Sequence, residues 1–503
     1  MVKYINLTLP LFIKQKAKET AKMTTMQTQI FTPGCFEAAG SVVLANGKTI
    51  PYKSVCQDNL FYDDEGKPIG TMFTYSYFRS DVQEAANRPV IFFFNGGPGS
   101  GSLWLHVGLF GPQRVKFDDP EAVNPPSVPP YRVENNELCL IDIADLVFID
   151  PVGTGFGRLL DKEAGDRFFT MDADADCFNS LLHSWLGKYQ RWNSPKYLLG
   201  ESYGTNRAAL LAESLSGSSQ GEFSAVGLNG LVLLGNAIGE ADEVLKFNTT
   251  EEALMLLPSL AATNWYHNST EGSLEDFVKA SYDFCEGEYV QALFKGDSLG
   301  SEERASIAEK VAYFSGLKKE TVLEQNLRPQ KWDYLKLVLK DRGLEVGVYD
   351  SRFTLPLNKD YTRENIVRDD AAISQYTPSF MAAMSGPVRQ ALGITFDRKY
   401  YAISVDVSKA WKRVSKRSCA QSLAASMRRN PDLKVLFSTG AYDIQCQMGQ
   451  ARYLVNHIGL DLKRVKMAEY PSGHMAYLGE TSAKRFEADV RAMVEGTLFT
   501  TSC

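Results

Sequence analysis

Six short, almost wholly apolar runs constrain the fold of this chain more than any other feature. In order they read "PVIFFFNGG", "ADLVFIDPVG", "KYLLGES", "GLVLLGNAIG", "LKVLFSTGAYD" and "VKMAEYPSGH", and each leads into a turn with glycine or aspartate. Helix-like segments such as "DCFNSLLHSWLGKYQRW" lie between them. Because strands that are apolar on both faces are typical of parallel sheets covered by helices, the pattern predicts a doubly wound α/β fold with a mostly parallel sheet.

The rhythm of strands and turns also divides the chain into parts. Between about residues 40 and 80, "SVVLA" and "TMFTYSYF" alternate with turn clusters and predict antiparallel hairpins. Over residues 241–415 the succession of strand-like apolar runs and turns stops, and helix-prone sequence replaces it. We predict a helical lid there, inserted between core residues 36–240 and 416–503, with an N-terminal tail over 1–35. A separate second domain fits the composition of 241–415 equally well.

Composition and charge exclude several classes of partner. Hydrophobic residues make up 44% of the 503 residues and charged residues 23%, which is ordinary for a folded globular protein. The formal net charge of −6 is small and not clustered, so we expect no nucleic-acid partner and no anionic membrane surface as partner. The sequence contains no run of eighteen apolar residues, so we expect no transmembrane span. Small or neutral partners fit better, and the oligomeric state is left open.

Cysteine usage and the N-terminus bear on the cellular compartment. The eight cysteines are scattered without CxxC spacing, which argues against a zinc site and against a dense disulfide framework. The first apolar patch is followed by Lys14, Lys16, Lys18 and Lys22 instead of a small-residue cleavage site. We therefore expect a cytoplasmic protein with reduced thiols, and no metal.

The stretch "GESYG" at residues 200–204 has the G-x-S-x-G form of a nucleophile elbow. A strand-like "KYLLG" precedes Ser202 and a helix-like "TNRAALLAESL" follows it, which is the context that the elbow requires. A serine hydroxyl is a weak nucleophile at neutral pH, so it needs a base, a carboxylate and donors for the oxyanion. A structural serine in a glycine-bracketed turn is the alternative.

After a nucleophile elbow, the acid and then the histidine follow in the sequence, each at the end of a later strand. His267 falls in the insertion and His457 in a helical stretch, whereas His474 follows a predicted strand and a glycine-containing turn. Asp443 follows the apolar "LKVLFSTGAY", where that order requires an acid. A turn or capping role is the alternative for Asp443. We predict that Ser202, Asp443 and His474 form a catalytic triad.

Backbone amides should supply the oxyanion hole. The residue after the serine, Tyr203, gives one amide, and an earlier strand-to-helix loop gives the other. The stretch "FFFNGGPGSGS", with Asn95 to Gly99 after a strand, fits that loop because glycine lets a backbone approach a ligand closely. A phosphate-binding loop is the competing interpretation, but no Lys-Ser/Thr pair follows. We expect no nucleotide and no other cofactor.

Taken together, these motifs resemble the serine carboxypeptidase family of the α/β-hydrolase fold. "NGGPGSGS", the pair Gly111 and Pro112, "FIDPVGTGFG", "GESYG", "GAYDIQC" and "SGHMAY" occur in the order of that family. They span most of the chain, and "SLAASMRRNPDLKVLF" with "HMAY" is similar to its bacterial branch. The family also carries a helical cap where this chain has its insertion.

The resemblance implies a role for each matching residue. It implies Ser202 as nucleophile, His474 as general base and then acid, and Asp443 as the acid that orients the histidine. The amides of Gly97 and Tyr203 would form the oxyanion hole. The site of the substrate's terminal carboxylate would consist of Asn95, Gly96 and Glu201, and Met475 would form a wall of the pocket for the departing residue.

Two departures from the family pattern matter. Ser100 stands where many eukaryotic relatives have a cysteine, so their disulfide pattern is not transferred. Leu109 stands where relatives place a second glutamate beside Glu201, so we expect Glu201 to ionise at lower pH than in such a pair, unless burial compensates. His106, three residues earlier in the same predicted helix, could bind the carboxylate as an imidazolium instead. An ordinary packed or exposed histidine is the alternative.

We predict a serine-type carboxypeptidase that releases single residues from peptide C-termini through an acyl-enzyme on Ser202. An esterase or acyltransferase could use the same triad, and a non-catalytic peptide-binding protein could use the same fold. Cys446, three residues beyond Asp443, is expected near the triad, where bulky thiol reagents should obstruct the site. A buried inert cysteine is the alternative.

Overall fold

All six apolar runs form strands in the computed structural model, which describes residues 31–217, 225–239, 249–268, 271–357 and 369–500. The strands are β1 (Cys35–Val43), β2 (Thr49–Tyr62), β3 (Pro68–Arg79), β4 (Val90–Phe94), β5 (Gln113–Lys116), β6 (Arg132–Asn135), β7 (Asp145–Asp150), β8 (Arg158–Leu159), β9 (Lys196–Glu201), β10 (Gly230–Leu234), β11 (Leu344–Val346), β12 (Thr354–Pro356), β13 (Lys434–Gly440) and β14 (Val465–Tyr470). A ten-stranded sheet has the order β1-β2-β3-β7-β4-β9-β10-β13-β14, with β8 on β3. β5 pairs with β6, and β11 with β12.

The central sheet combines antiparallel hairpins with a parallel core. β1, β2 and β3 pair in antiparallel fashion, and β3 also runs antiparallel to β7. From β7 to β14 every neighbouring pair is parallel. All residues of β4, β7, β9 and β10 are buried, because these strands are covered on both faces. The predicted doubly wound, mostly parallel α/β fold is confirmed.

Helices lie on both faces of this sheet and in the insertion between β10 and β13. They are α1 (Leu103–Leu105), α2 (Met171–Lys188), α3 (Tyr203–Leu215), α4 (Thr250–Asn268), α5 (Leu274–Phe284), α6 (Val290–Lys295), α7 (Ser301–Ser315), α8 (Lys319–Glu324), α9 (Lys331–Leu337), α10 (Ala371–Ala383), α11 (Arg389–Ala391), α12 (Val405–Ala410), α13 (Cys419–Arg429), α14 (Met448–His457) and α15 (Glu480–Val494). One apolar cluster joins the sheet to α2, α3, α13 and α14. A second joins it to α1, α10 and α15.

The insertion between β10 and β13 is mostly helical, as predicted, and consists of two parts. Helices α4 to α9 contribute to an apolar core of their own, in which Leu260, Val311 and Tyr334 are fully buried. Helix α10 packs instead into the main core through Tyr376 and Phe380. The boundaries proposed for the insertion and for the two core segments stay predictions, and most of the predicted tail lies outside the described residues.

Two predictions about the chain as a whole can be compared with this architecture. Within the described ranges, no helix combines the length and the apolar composition needed to cross a membrane. The seven cysteines in those ranges form no disulfide bond.

Candidate active site

Ser202 occupies a sharp turn between β9 and α3. Its backbone has φ 61° and ψ −129°, a conformation that a residue with a side chain rarely adopts. The Ser202 amide donates a hydrogen bond to the carbonyl of Leu234 at the end of β10, with 2.8 Å between the atoms. The serine therefore stands at the carboxyl edge of the sheet, as the elbow motif predicted.

Glycines make this turn possible because the backbone approaches itself very closely. A Cβ atom added at Gly200 would lie 2.2 Å from the carbonyl oxygen of Gly204. One added at Gly96 would lie 2.4 Å from the amide nitrogen of Tyr203, so the loop after β4 rests directly on the elbow. Gly97 has φ +105°, which favours glycine. The spacing of glycines in both motifs thus has a steric cause.

His474 and Asp443 meet at the same edge, after β14 and β13. Nδ1 of His474 lies 2.7 Å from Oδ2 of Asp443, whose other carboxylate oxygen accepts the amide of Cys446 at 2.8 Å. Asp443 is fully buried. The His474 amide donates to the carbonyl of Tyr349 at 2.6 Å, and the Tyr349 ring packs edge-on against the imidazole. The histidine is therefore held from its backbone, its ring face and Nδ1.

Two opposing effects set the protonation of His474. Burial lowers the pKa of the imidazole, whereas the negative charge and hydrogen bond of Asp443 raise it, and the pKa ends well above its ordinary value. The bond at Nδ1 leaves Nε2 as the nitrogen that can accept a proton from a nucleophile. This arrangement is that of a general base oriented by a carboxylate.

Ser202 and His474 line one cleft of about 90 Å³ together with residues of the β4 loop. Other lining residues that the sequence analysis singled out are Asn95, Gly96, Gly97, Glu201 and Met475. The carboxyl ends of parallel strands meet at one edge of a sheet, which explains why residues so distant in sequence converge here. The structure thus brings together every residue to which a role was given, except His106.

Glu201 is buried beside this cleft and bonded to a tyrosine. The Tyr477 hydroxyl donates to Oε2 of Glu201 at 2.9 Å. Burial raises the pKa of Glu201 to about 7, against the lowering effects of the nearby His474 and of the bond from Tyr477. Without a second glutamate beside it, Glu201 was expected to ionise at lower pH unless burial compensates. Burial does raise the pKa of Glu201, so this compensation is present.

The side chain of Asn95 has a buried amide donor, Nδ2, beside the cleft. Its Oδ1 accepts the amide of Leu105 at 3.3 Å, and its carbonyl oxygen accepts a bond from Arg207 at 2.8 Å. In the part of the chain that the structure describes, its Nδ2 is buried without a well-formed hydrogen bond, although the Asn95 side chain lies near enough to Glu201 to lower the pKa of that carboxyl group. A buried donor without a partner is costly, so this atom marks a place where a ligand oxygen would be stabilised.

The hypothesis that His106 binds the substrate's carboxylate is wrong. The side chain is 1% exposed, its Nε2 lies 2.7 Å from the Tyr77 hydroxyl, and its ring stacks on Phe148. Burial lowers the pKa of His106 to about 3, so it is neutral at physiological pH. The chain widens into a π-helical turn over His106–Phe110, so α-helical spacing does not apply, and Leu109 is fully buried as well.

The sequence patterns gave no role to Tyr477, which was named only as the last residue of the motif "SGHMAY". Its ring lies over Gly108, where an added Cβ would come within 2.6 Å of the tyrosine. A glycine beside the position of the absent acid was the available signal, because it makes room for a large side chain. Six residues that line the cleft had no signal in the sequence: Trp104, Tyr349, Ile373, Tyr376, Ile403 and Ser408.

Cys446 lies beside the triad, as predicted. Its sulfur and the ligand atoms of Asp443 and His474 lie within 4.8 Å of one another, the only group of this kind in the described residues. Such a set could hold a metal ion, but His474 and Asp443 already bond to each other. We interpret the group as an acid–base pair with a neighbouring thiol that is 1% exposed.

Known proteins share these features to different degrees. A family model described as serine carboxypeptidase matches residues 62–487. Serine carboxypeptidase-like 36 of Arabidopsis thaliana is 31% identical over 152 residues, 29% of this chain and 28% of the relative. Pheromone-processing carboxypeptidase kex1 of Aspergillus oryzae is 26% identical over 182 residues, 36% of this chain and 26% of the relative. The chain thus spans less than a third of the length of these curated relatives in the alignments.

A solved structure agrees with the fold. Kex1(delta)p, a prohormone-processing carboxypeptidase from Saccharomyces cerevisiae, matches with a TM-score of 0.55 at 16% identity, covering 88% of this chain and 91% of that one. This similarity supports the α/β-hydrolase fold with its helical insertion. Because the family model covers most of the chain, and the elbow, acid and histidine lie in the order of that family, the chain belongs to the serine carboxypeptidase family.

Proposed function

We propose that this protein hydrolyses the C-terminal peptide bond of peptides and releases the last residue. The observation that carries the proposal is the composition of the cleft beside Ser202. It holds an amide donor, Nδ2 of Asn95, that makes no well-formed hydrogen bond within the described residues, and a buried carboxyl group, Glu201, whose pKa of about 7 keeps it largely protonated in mild acid. Two donors near a nucleophile suit a substrate that ends in a carboxylate.

The proposed chemical steps use Ser202, His474 and Asp443 as the catalytic triad. Ser202 attacks the scissile carbonyl while Nε2 of His474 takes its proton, and Asp443 stabilises the imidazolium that forms. The amides of Gly97 and Tyr203 stabilise the oxyanion. His474 then protonates the departing amine, and an acyl-enzyme remains on Ser202. Water, deprotonated by His474, releases the shortened peptide and restores the serine.

Recognition of the free C-terminus depends on the charge of Glu201. When protonated, it can donate a hydrogen bond to the substrate's carboxylate beside Asn95. When ionised, it repels the same group. Binding of a peptide with a free carboxylate should therefore weaken as pH rises through about 7, the pKa of Glu201. An ester or amide without that carboxylate should not experience this repulsion.

A pair of matched substrates tests the proposal. One peptide is offered with a free C-terminus and, separately, as its C-terminal amide, and the products are identified by mass spectrometry. We expect loss of the last residue from the free acid, much slower reaction of the amide, and no reaction with Ser202→Ala. Equal cleavage of both forms would contradict recognition of the free C-terminus, and hydrolysis of an ester offered in parallel while both peptides stay intact would favour an esterase or acyltransferase. Binding without turnover would favour the non-catalytic alternative.

A further inference from the structure

A loop of the insertion contacts both segments that carry the acid and the base of the triad. It comprises residues 347–353 and joins β11 to β12. The carbonyl of Val348 accepts the amides of the two residues that follow Asp443, at 3.0 Å each. The carbonyl of Tyr349 accepts the amide of His474 at 2.6 Å. The insertion therefore supplies backbone acceptors to both segments.

Two charged side chains of this loop, Asp350 and Arg352, form an ion pair inside the protein. Nε and Nη2 of Arg352 donate to the two carboxylate oxygens of Asp350 at 3.0 and 2.7 Å. The side chain of Arg352 is 1% exposed and that of Asp350 is 3% exposed. Each charge therefore depends on the other, because a buried charge without a partner is strongly destabilising.

The guanidinium group of Arg352 also holds the segment that leads to His474. Its Nη1 donates to the carbonyl of Pro471, and its Nη2 donates to the hydroxyl of Ser472, both at 3.3 Å. The Ser472 hydroxyl donates in turn to the carbonyl of Met475 at 3.1 Å. Arg352 thus contacts the chain before the histidine directly, and the chain after it through Ser472.

Asp350 supports the same segment by steric contact. A Cβ atom added at Gly473, directly before His474, would lie 2.4 Å from Cβ of Asp350. The two backbones approach so closely only because glycine has no side chain. The carboxylate that anchors Arg352 therefore belongs to a residue that packs against the chain beside His474.

The segment of the acid meets the same guanidinium group through Tyr442, the residue before Asp443. The guanidinium carbon of Arg352 lies 5.3 Å from the centre of the Tyr442 ring. The Tyr442 amide donates to the carbonyl of Ser472, and the Tyr442 carbonyl accepts the amide of Ser351, both at 3.0 Å. The insertion loop and the two catalytic segments thus converge around Arg352.

His474 must be placed precisely to act as a general base. Its Nε2 has to reach the Ser202 hydroxyl while Nδ1 stays bonded to Asp443, and a displacement of about 1 Å can lower a rate about 100-fold. The position of its backbone depends on residues 471–473. A planar guanidinium group with five donors can hold several acceptors in fixed directions, whereas a single ammonium group cannot.

We infer that Arg352, anchored by Asp350, is a positioning residue for the catalytic base: it fixes residues 471–472 and thereby places Nε2 of His474 for proton transfer from Ser202. The inference rests on the triad of the proposed function, but not on its peptide substrate. It makes the insertion necessary for the geometry of the triad, because the loop that carries Arg352 belongs to the insertion.

Arg352→Lys tests the inference, because it keeps a positive charge beside Asp350 but loses the fixed directions of the guanidinium donors. We expect kcat for a peptide to fall about 10- to 100-fold while KM changes by no more than about twofold. Phosphonylation of Ser202 by a fluorophosphonate needs the same proton transfer but no peptide, so its rate constant should fall by a similar factor. All rates are measured well below the midpoint of thermal unfolding.

Arg191→Lys is the matched control. Arg191 forms another buried ion pair, with Asp145, and both side chains are 2% exposed. It also donates to a backbone carbonyl, that of Arg88. Asp145 is the first residue of β7, so this pair lies at the edge of the parallel strands opposite the triad. The control should lose stability as Arg352→Lys does, but both rate constants should stay unchanged.

A double variant, Asp350→Asn/Arg352→Met, separates the effect of charge from that of position. It leaves no unpaired buried charge, so it should be more stable than Arg352→Met alone. Both rate constants should nevertheless remain as low as in Arg352→Lys, because the donors to residues 471–472 are gone. If Arg352→Lys does not fold, the double variant decides the test on the same two rate constants.

The inference is overturned if Arg352→Lys keeps both rate constants within about twofold of the wild type, if Arg191→Lys lowers them equally, or if the double variant restores them. The proposed function stands in each of these cases. A wild type that is not phosphonylated at Ser202 would contradict the triad and the inference together. A wild type that is phosphonylated but cleaves no peptide would contradict the proposed function alone, and phosphonylation then decides the role of Arg352.

Discussion

The hydroxyl of Tyr477 donates a hydrogen bond to Oε2 of Glu201 across 2.9 Å, and both side chains are buried. Burial also raises the pKa of the Tyr477 phenol well above its ordinary value, so the tyrosine remains a donor at every relevant pH. The bond occupies one oxygen of Glu201 and leaves Oε1 to carry the proton when the group is protonated. Tyr477 is thus the hydrogen-bonded neighbour of Glu201.

Tyr477→Phe should extend peptide hydrolysis to higher pH. The hydrogen bond favours the ionised form of Glu201, so its loss should raise the pKa of Glu201 above about 7. Protonated Glu201 then persists to higher pH, and the rise in peptide KM with pH should move in the same direction while ester hydrolysis stays unchanged. Tyr470→Phe, which removes a similar bond to Asp489, serves as a control. Identical pH profiles for wild type and Tyr477→Phe would contradict this.

Glu201→Gln should remove the pH dependence of the peptide-to-ester ratio. In the wild type this ratio should fall as pH rises through about 7, because Glu201 loses its proton and repels the peptide's carboxylate. Glutamine cannot ionise, so the ratio should become constant. Protonation of His474 affects both substrates alike and cancels in the ratio. A ratio that still falls in the variant would show that another group controls recognition.

Asp443→Asn should leave the protein folded and lower kcat by up to about four orders of magnitude, because an amide favours the wrong imidazole tautomer. The bond of 2.7 Å between Nδ1 of His474 and Asp443 is the basis for this expectation. Steady-state kinetics and thermal unfolding measure the two effects separately. Asp489→Asn is a control that removes a carboxylate from α15. A loss of less than about tenfold in Asp443→Asn would remove this residue from the triad.

Cys446 should react slowly with small thiol reagents and inactivate the enzyme when it does. It is 1% exposed, which limits access, but its sulfur lies within 4.8 Å of the reactive atoms of Asp443 and His474. A methylthio group there would displace the imidazole. We expect methyl methanethiosulfonate to inactivate the wild type and Cys446→Ala to resist. Full activity after modification at Cys446, verified by mass spectrometry, would count against obstruction.

His106→Phe should affect stability and not recognition. The change leaves the Tyr77 hydroxyl without its partner, at a cost of about 1–3 kcal/mol in the free energy of unfolding. The pKa of His106 is lowered from 6.5 to about 3, so this residue favours unfolding progressively as pH falls below 6.5, and the variant should lose less stability in acid. Denaturant unfolding at several pH values tests this. A changed peptide-to-ester ratio would revive a role for His106 in recognition.

The strands of the sheet and the candidate catalytic residues could be predicted from patterns in the sequence. Strands buried on both faces must be apolar throughout, so β4, β7, β9 and β10 could be read from composition alone. The elbow at Ser202 needs glycines at fixed spacing for steric reasons, which makes it a local pattern. Asp443 and His474 follow from the order of strands, because the ends of parallel strands share one edge.

The surroundings of Glu201 could not be predicted from the sequence. The pKa of Glu201 depends on burial among segments distant in sequence, and its bond to Tyr477 joins residues 276 positions apart. His106 is buried against Tyr77 and Phe148, which lie on strands far away in sequence, so α-helical spacing alone could not show that it belongs to the core. A cavity of about 600 Å³ likewise forms where residues of α10 and residues between Lys399 and Ser408 line one space. Local patterns specify elements and single sites, whereas burial, donor pairing and cavities are properties of packed surfaces.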